Sequence, residues 1–329
     1  MTDPASSPVP VVIDTDPGID DLLAIWAAWG CPELEVRALT AVHGNIPLEL
    51  TWRNLQRLTR QMVGDAGTAP LLGRGAARPW GEARGMHVPE IHGRDGLGGI
   101  SERLPPEQAS ASAPARALDV HARILEAADE PVALIALGPL TNIATLLAAR
   151  PDLRERIARI IIMGGGDGVG NTSPAAEFNI AADPEAAERV FTDEVPVTMV
   201  GLDVTHAVRF ERPWLAGLAA AGPCGQLAAA ACEPYIGRRE QRGIRWMALH
   251  DAVAVAAAAR PELLETRPVT VEVDHEHGPG RGATFLSPAP SPAPGQDPAP
   301  VPGRAPVAHA HDAHDQALVD WVAASIARI

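Results

Sequence analysis

Short apolar runs of strand length recur along this chain and alternate with longer amphipathic or alanine-rich runs. Val11-Val12-Ile13, Leu34 to Val42, Ala69 to Leu72, Val132 to Leu137, Arg159 to Met163 and Val195 to Val200 read as strands, the clearest of them as apolar throughout as strands buried on both faces. Between them, the run from Leu22 to Trp26, Pro47 to Val63, a stretch opened by Gly138-Pro139-Leu140-Thr141-Asn142 and closing near Arg150-Pro151, and the segment from Asp183-Pro184 to Phe191 read as helices. Arg212 to Gln241 reads as largely helical with a break near Gly222-Pro223, and an alanine run carries a further helix to Arg260. Pro268 to Asp274 and Arg281 to Leu286 read as a terminal strand pair, and Ala317 to Ile329 as a last helix. The alternation predicts one α/β domain over 1–329: an open, mostly parallel sheet with helices on both faces, an active site at the C-terminal strand ends, and helices from 211 to 249 as a lid.

The first strand ends in an unusual way. Asp14-Thr15-Asp16-Pro17-Gly18-Ile19-Asp20-Asp21 places four carboxylates within eight residues, interrupted by a Pro-Gly turn. Side chains alternate along a strand, so Asp14 and Asp16 share a face, while Asp20 and Asp21 open the helix after the turn. The positive end of a helix dipole contributes well under ~1 kcal/mol per acid and cannot offset four clustered charges. A cation should sit among them, and carboxylate oxygen without nearby Cys or His favours Ca²⁺ or Mg²⁺ over Zn²⁺ or copper.

These eight residues resemble the signature of the inosine-uridine-type nucleoside N-ribohydrolases, and further motifs extend the resemblance from about residue 10 to about 285. The resemblance implies hydrolysis of the N-glycosidic bond of ribonucleosides with Ca²⁺ as cofactor. It implies that Asp16, Asp21, Asp251 and the backbone carbonyl of Leu137 hold the metal, with Asp14 supporting them from behind. Asp16 is also implied as the general base and His250 as the acid for the leaving base. Asp20, Asn45, His92, Asn171, Glu177 and Asn179 are implied as contacts to the nucleoside, since amides and carboxylates satisfy sugar hydroxyls that both donate and accept. Ala252 stands where the family often has Pro, a small departure.

Composition narrows the alternatives. The formal charge of −14 over 329 residues gives no basic stripe for nucleic acid or an anionic membrane, so a small neutral substrate fits better. The chain has no lysine, so all of its basic residues other than histidine are arginine. That removes a Schiff-base lysine, a Walker A lysine and the lysine of phosphoaspartyl phosphatases, a family that also opens with a strand and Asp-x-Asp. A non-catalytic nucleoside- or Ca²⁺-binding protein stays open, because only turnover separates it from an enzyme. Three cysteines without metal spacing suggest no disulfide framework, and the absence of a signal-like start or a long apolar run suggests a cytoplasmic protein. A homo-oligomer, dimer or tetramer, is expected from the resemblance.

Several stretches read without a role. His43 reads as an exposed loop histidine, and the glycine run from Gly164 to Gly170 lacks the Lys-Ser/Thr of a phosphate-binding loop. Leu104 to Arg116 reads as a flexible connection. Ser287 to Pro306 is Pro/Ala-rich and reads as a disordered insert. His309, His311 and His314 read as part of a polar helix start before Ala317.

Overall fold

The computed structural model describes residues 7–64, 67–107, 113–289 and 306–329. In chain order the first half runs β1 (Val9–Thr15), α1 (Ile19–Gly30), β2 (Leu34–Ala41), α2 (Leu48–Val63), β3 (Leu71–Arg74), α3 (Pro89–His92), α4 (Ala117–Ala127), β4 (Val132–Ala136), α5 (Thr141–Ala149) and β5 (Ile157–Met163). The second half runs α6 (Phe178–Ala182), α7 (Pro184–Phe191), β6 (Val197–Val200), α8 (Leu202–Thr205), β7 (Phe210–Glu211), α9 (Arg212–Ala219), α10 (Pro223–Glu240), β8 (Trp246–Met247), α11 (His250–Ala259), β9 (Leu264–Val273), β10 (Thr284–Pro288), β11 (Val307–Ala313) and α12 (Asp315–Ile326).

Nine strands form one sheet in the order β10-β9-β11-β6-β5-β4-β1-β2-β3, parallel except where β9 runs against both its neighbours. Strands β1 and β4 are apolar and buried because both faces are covered. The pleat sorts them: Val11 and Ile13 enter the core under α1, α10, α11 and α12, while Val12 enters the opposite core under α4, α5 and α7. Helix α11 is alanine-rich and buried along nearly its whole length, packed between α1 and β5, as a helix apolar all round must be.

The chain winds outward from β1 through β2 to β3, then crosses back to place β4 on the other side of β1. The ends of β1 and β4 are therefore a topological switch point, where open α/β sheets form their ligand crevice. Asp16 and Leu137 each follow directly after those strands.

The expected elements are present, with ends shifted by a few residues. The strand pair at 264–288 is not terminal, because β11 follows and slots between β6 and β9. The expected polar helix start at His309 is instead this strand, whose Val307, His309 and Ala310 are buried. Its apolar residues are too few and too short-ranged to mark a strand by periodicity alone; parallel pairing with β6 supplies the rest. The proposed insert loses its first residues to β10, which ends at Pro288, and residues 290–305 of it lie outside the described residues, as do 108–112 of the connection before α4. Among the described residues no helix is long and apolar enough to cross a membrane.

Candidate active site

The turn after β1 folds its acids around the start of α1. Asp21, in the first helical turn, accepts from the amides of Gly18 at 2.8 Å and Asp16 at 3.3 Å, from Nδ2 of Asn45 at 3.1 Å and from the Thr15 hydroxyl. One carboxylate thus ties the turn, the helix start and the loop after β2 together. Asp20, Asp21 and Asp251 bring one carboxylate oxygen each to within 4.8 Å of one another. Asp251 comes from the first turn of α11, so the convergence depends on α11 packing against α1.

Asp16 sits beside this group in a cradle of backbone. Its Oδ2 accepts from the Asn45 amide at 2.6 Å, and its Oδ1 is buried without a partner. A Cβ on Gly44 would fall 2.0 Å from Oδ2 and one on Gly138 would fall 2.5 Å from Oδ1. That explains a glycine at both places: the carboxylate occupies the space a side chain would take.

Asp14 does not join the cluster. Its Oδ1 accepts from Nδ2 of Asn142 at 2.8 Å and from the Thr40 hydroxyl, and Nε2 of His121 lies 2.9 Å from that hydroxyl. The expectation that the four acids of the first motif converge is corrected here: Asp251 replaces Asp14. A strand's pleat puts Asp14 and Asp16 on one face, but the chain leaves the sheet at Thr15, and Asp16 follows the turn instead.

No arginine pairs with these acids among the described residues, and the nearest base is His92, whose Nδ1 is 3.8 Å from Oδ1 of Asp20. Burial pushes the Asp20 and Asp21 carboxyls up to about 6, aided at Asp21 by the charge of Asp20. Burial and then the neighbouring acids hold Asp16 and Asp251 well above the carboxylate range. His92 is pushed down to about 4 by burial, and its Nδ1 accepts the Ile19 amide at 3.1 Å, so it is a neutral acceptor there. A set of buried, mutually repelling oxygens with two orphaned atoms, Asp16 Oδ1 and Asp20 Oδ1, fits a hard divalent cation.

A cleft opens over the cluster, lined among others by Asp20, Asn45, His92, Leu137, Asn171, Glu177, Asn179, His250 and Asp251. All six expected nucleoside contacts therefore face one space. Much of their hydrogen-bonding capacity is already committed to the fold. Glu177 caps α6, accepting the amides of Asn179 at 2.9 Å and of Gly165 and Ile180 at 3.1 Å, and burial raises it to about 7. Asn171 Oδ1 accepts the Phe178 amide at 2.9 Å. Asn179 Nδ2 donates to the carbonyls of Leu137 at 2.7 Å and Met163 at 3.0 Å. The Leu137 carbonyl keeps a second lone pair for a cation.

His250 opens α11 beside Asp251. Its Nδ1 lies 2.7 Å from Oγ1 of Thr205, and the His206 ring meets it edge-on with centroids 5.3 Å apart. Burial, with His206 the next contributor, pushes the ring down to about 3, so it is neutral. One other feature escaped the sequence. His43 is not exposed: it is fully buried, with Nε2 3.0 Å from Oγ1 of Thr141. Tyr235 of α10, which lies near the position of family aromatics but whose role the sequence leaves open, lines the cleft beside Val88 and Ile91.

Residues 11–319 match the family model for inosine-uridine preferring nucleoside hydrolase. The chain belongs to this family. It is 40% identical over 272 residues to a pyrimidine-specific ribonucleoside hydrolase RihA of Klebsiella pneumoniae, covering 82% of this chain and 85% of that protein. It is 39% identical over 270 residues to a non-specific ribonucleoside hydrolase RihC of Escherichia coli, covering 81% and 84%. A solved plant nucleoside hydrolase, PpNRh1, superimposes with a TM-score of 0.85 at 31% identity, covering 97% of this chain and 99% of that one. Membership makes this chain an enzyme of the nucleoside N-ribohydrolase class, which sets aside the phosphatase alternative.

Proposed function

We propose that the protein hydrolyses ribonucleosides to free base and ribose in a Ca²⁺-dependent reaction, with Asp16 as general base. The observation that carries this reading is the buried carboxylate group without a counter-charge under a cleft lined by amides and carboxylates. Asp16, Asp21, Asp251 and the Leu137 carbonyl would hold the cation, with Asp20 close enough to share it. Bound there, a divalent cation would acidify water and offset the acids' repulsion.

The remaining work falls to the chain's own groups. Asp16 presents the unpartnered Oδ1 that can take a proton from the attacking water, while the Asn45 amide keeps Oδ2 in place. Asp20, Asn45, Asn171, Glu177 and Asn179 orient the sugar, and the surrounding carboxylates favour the positive charge that develops on the ribose ring. His250 faces the cleft; when the Thr205 hydroxyl donates to Nδ1, its Nε2–H is left to hydrogen-bond the leaving base as negative charge develops there. His92, held neutral against α1, borders the same space. The three described cysteines are unpaired, in keeping with a cytoplasmic location, and a homo-oligomer is part of the same reading.

The test is the product analysis. Purified protein incubated with a panel of purine and pyrimidine ribonucleosides should release base and reducing sugar in equal amounts. Binding without release would favour the non-catalytic alternative.

A further inference from the structure

His43, which the proposed reaction does not use, begins a directed chain of hydrogen bonds. Its Nε2 lies 3.0 Å from Oγ1 of Thr141, and that hydroxyl donates to Oδ2 of Asp183 at 2.6 Å. Asp183 caps α7, where its carboxylate also accepts the amides of Trp80 at 3.0 Å and Ala186 at 3.2 Å. An ionised carboxylate is an acceptor only, so the single Thr141 proton goes to Asp183. The contact between His43 and Thr141 must then be donated by His43, from Nε2. Its Nδ1 carries no proton, and that atom is buried without a partner.

The residues after His43 form the cradle of Asp16. Gly44 approaches Asp16 so closely that it can have no side chain, and the Asn45 amide makes the 2.6 Å bond to Oδ2. A glycine leaves this peptide intrinsically free, so its place is set from outside. His87 Nδ1 donates to the Gly44 carbonyl at 2.8 Å, and the Val88 amide donates to the Asn45 carbonyl at 2.9 Å. On the other side the anchors are the His43 amide, donated to Ala76 at 3.0 Å, and the His43 side chain.

We propose that His43 is a positioning residue for Asp16: through Thr141 and Asp183 it fixes the Gly44–Asn45 peptide, and with it the orientation of the carboxylate that takes the proton from water. The inference rests on Asp16 being the general base. A histidine that merely filled core volume would be replaceable by any side chain of similar size, and the chain of donors would be incidental.

The experiment compares wild type with His43→Leu, which keeps bulk but removes the donor, and His43→Gln, whose amide nitrogen can take the place of Nε2. Amide hydrogen exchange at Asn45, read by NMR on protein without added metal, reports the cradle apart from turnover. Steady-state kinetics on a ribonucleoside report the base. In His43→Leu, Asn45 should exchange at least about tenfold faster, and kcat should fall about tenfold or more with KM within about twofold; His43→Gln should recover most of both. Leu and Gln variants that behave alike, or a Leu variant that matches wild type, would overturn the inference. Thr141→Val against Thr141→Ser makes the same comparison should His43→Leu not fold. Wild-type protein that releases no base would sink the proposed reaction, while the exchange comparison would still decide whether His43 holds the cradle.

Discussion

The amide of Asn45 donates a 2.6 Å hydrogen bond to Oδ2 of Asp16, and the opposite oxygen of that carboxylate has no partner. One oxygen is thus held and the other is left for chemistry. Asp16→Asn keeps the shape and can keep the held bond through its carbonyl oxygen, but cannot take a proton. Because general-base catalysis is typically worth ~10²–10⁴ in rate, kcat should fall at least that far in steady-state assays. A loss of only a few-fold would move the base elsewhere.

His250 should act on the leaving group. A purine or pyrimidine leaves poorly as an anion, whereas a nitrophenolate needs no proton. His250→Ala should lower kcat on natural ribonucleosides by ~10²-fold or more and barely change hydrolysis of a nitrophenyl riboside. Equal losses on both substrates would mean that the ring, packed against Thr205 and beside Asp251, supports the site's shape instead.

Much of this site is legible in the sequence, though unevenly. The acids at 14–21 mark the first strand because charged groups at the end of an apolar run demand a compensating environment. The segments around Asn45, Leu137, Glu177 and His250 resemble the family's, and they do meet in one cleft. What could not be read is partnership across long separations. Asp14 turns to Thr40 and Asn142, and His43 to Thr141 and Asp183, because packing of β1, β2, α5 and α7 brings them together. Strand β11 was illegible for a related reason: its pattern is weak, and pairing with β6 and β9 decides it.

His121 should make the fold acid-sensitive. Burial pushes this ring from 6.5 down to about 4, with Nε2 against Thr40 and Nδ1 unpartnered. Between those values the unfolded chain binds the extra proton and the folded protein does not, so stability is whole above about pH 6.5 and falls as the pH drops toward 4. This one group accounts for about 3 kcal/mol over that window. His121→Gln retains a donor for Thr40 but does not titrate, so its melting temperature should fall less steeply with acid than that of wild type. Parallel curves would contradict the assignment.

Most of the segment between β10 and β11 should be dispensable. Pro288 at the end of β10 and Val307 at the start of β11 both pair with Val269 of β9, so they face each other across one strand. Two strand spacings of ~4.8 Å separate them, a gap that four residues can bridge. Deletion of residues 291–304 should leave the melting temperature and kcat close to wild type. A large fall in melting temperature would show that the segment packs against the sheet.

The carboxylates of Asp16, Asp21 and Asp251, with the Leu137 carbonyl, are proposed to hold a catalytic cation. The direct measurement is ribose release from a ribonucleoside after prolonged chelation and removal of the chelator, followed by titration with Ca²⁺. Activity should be abolished by chelation and restored by Ca²⁺, with a rise in melting temperature over the same concentrations in wild type and a weaker one in Asp251→Asn. Full activity in rigorously metal-free protein would contradict this assignment.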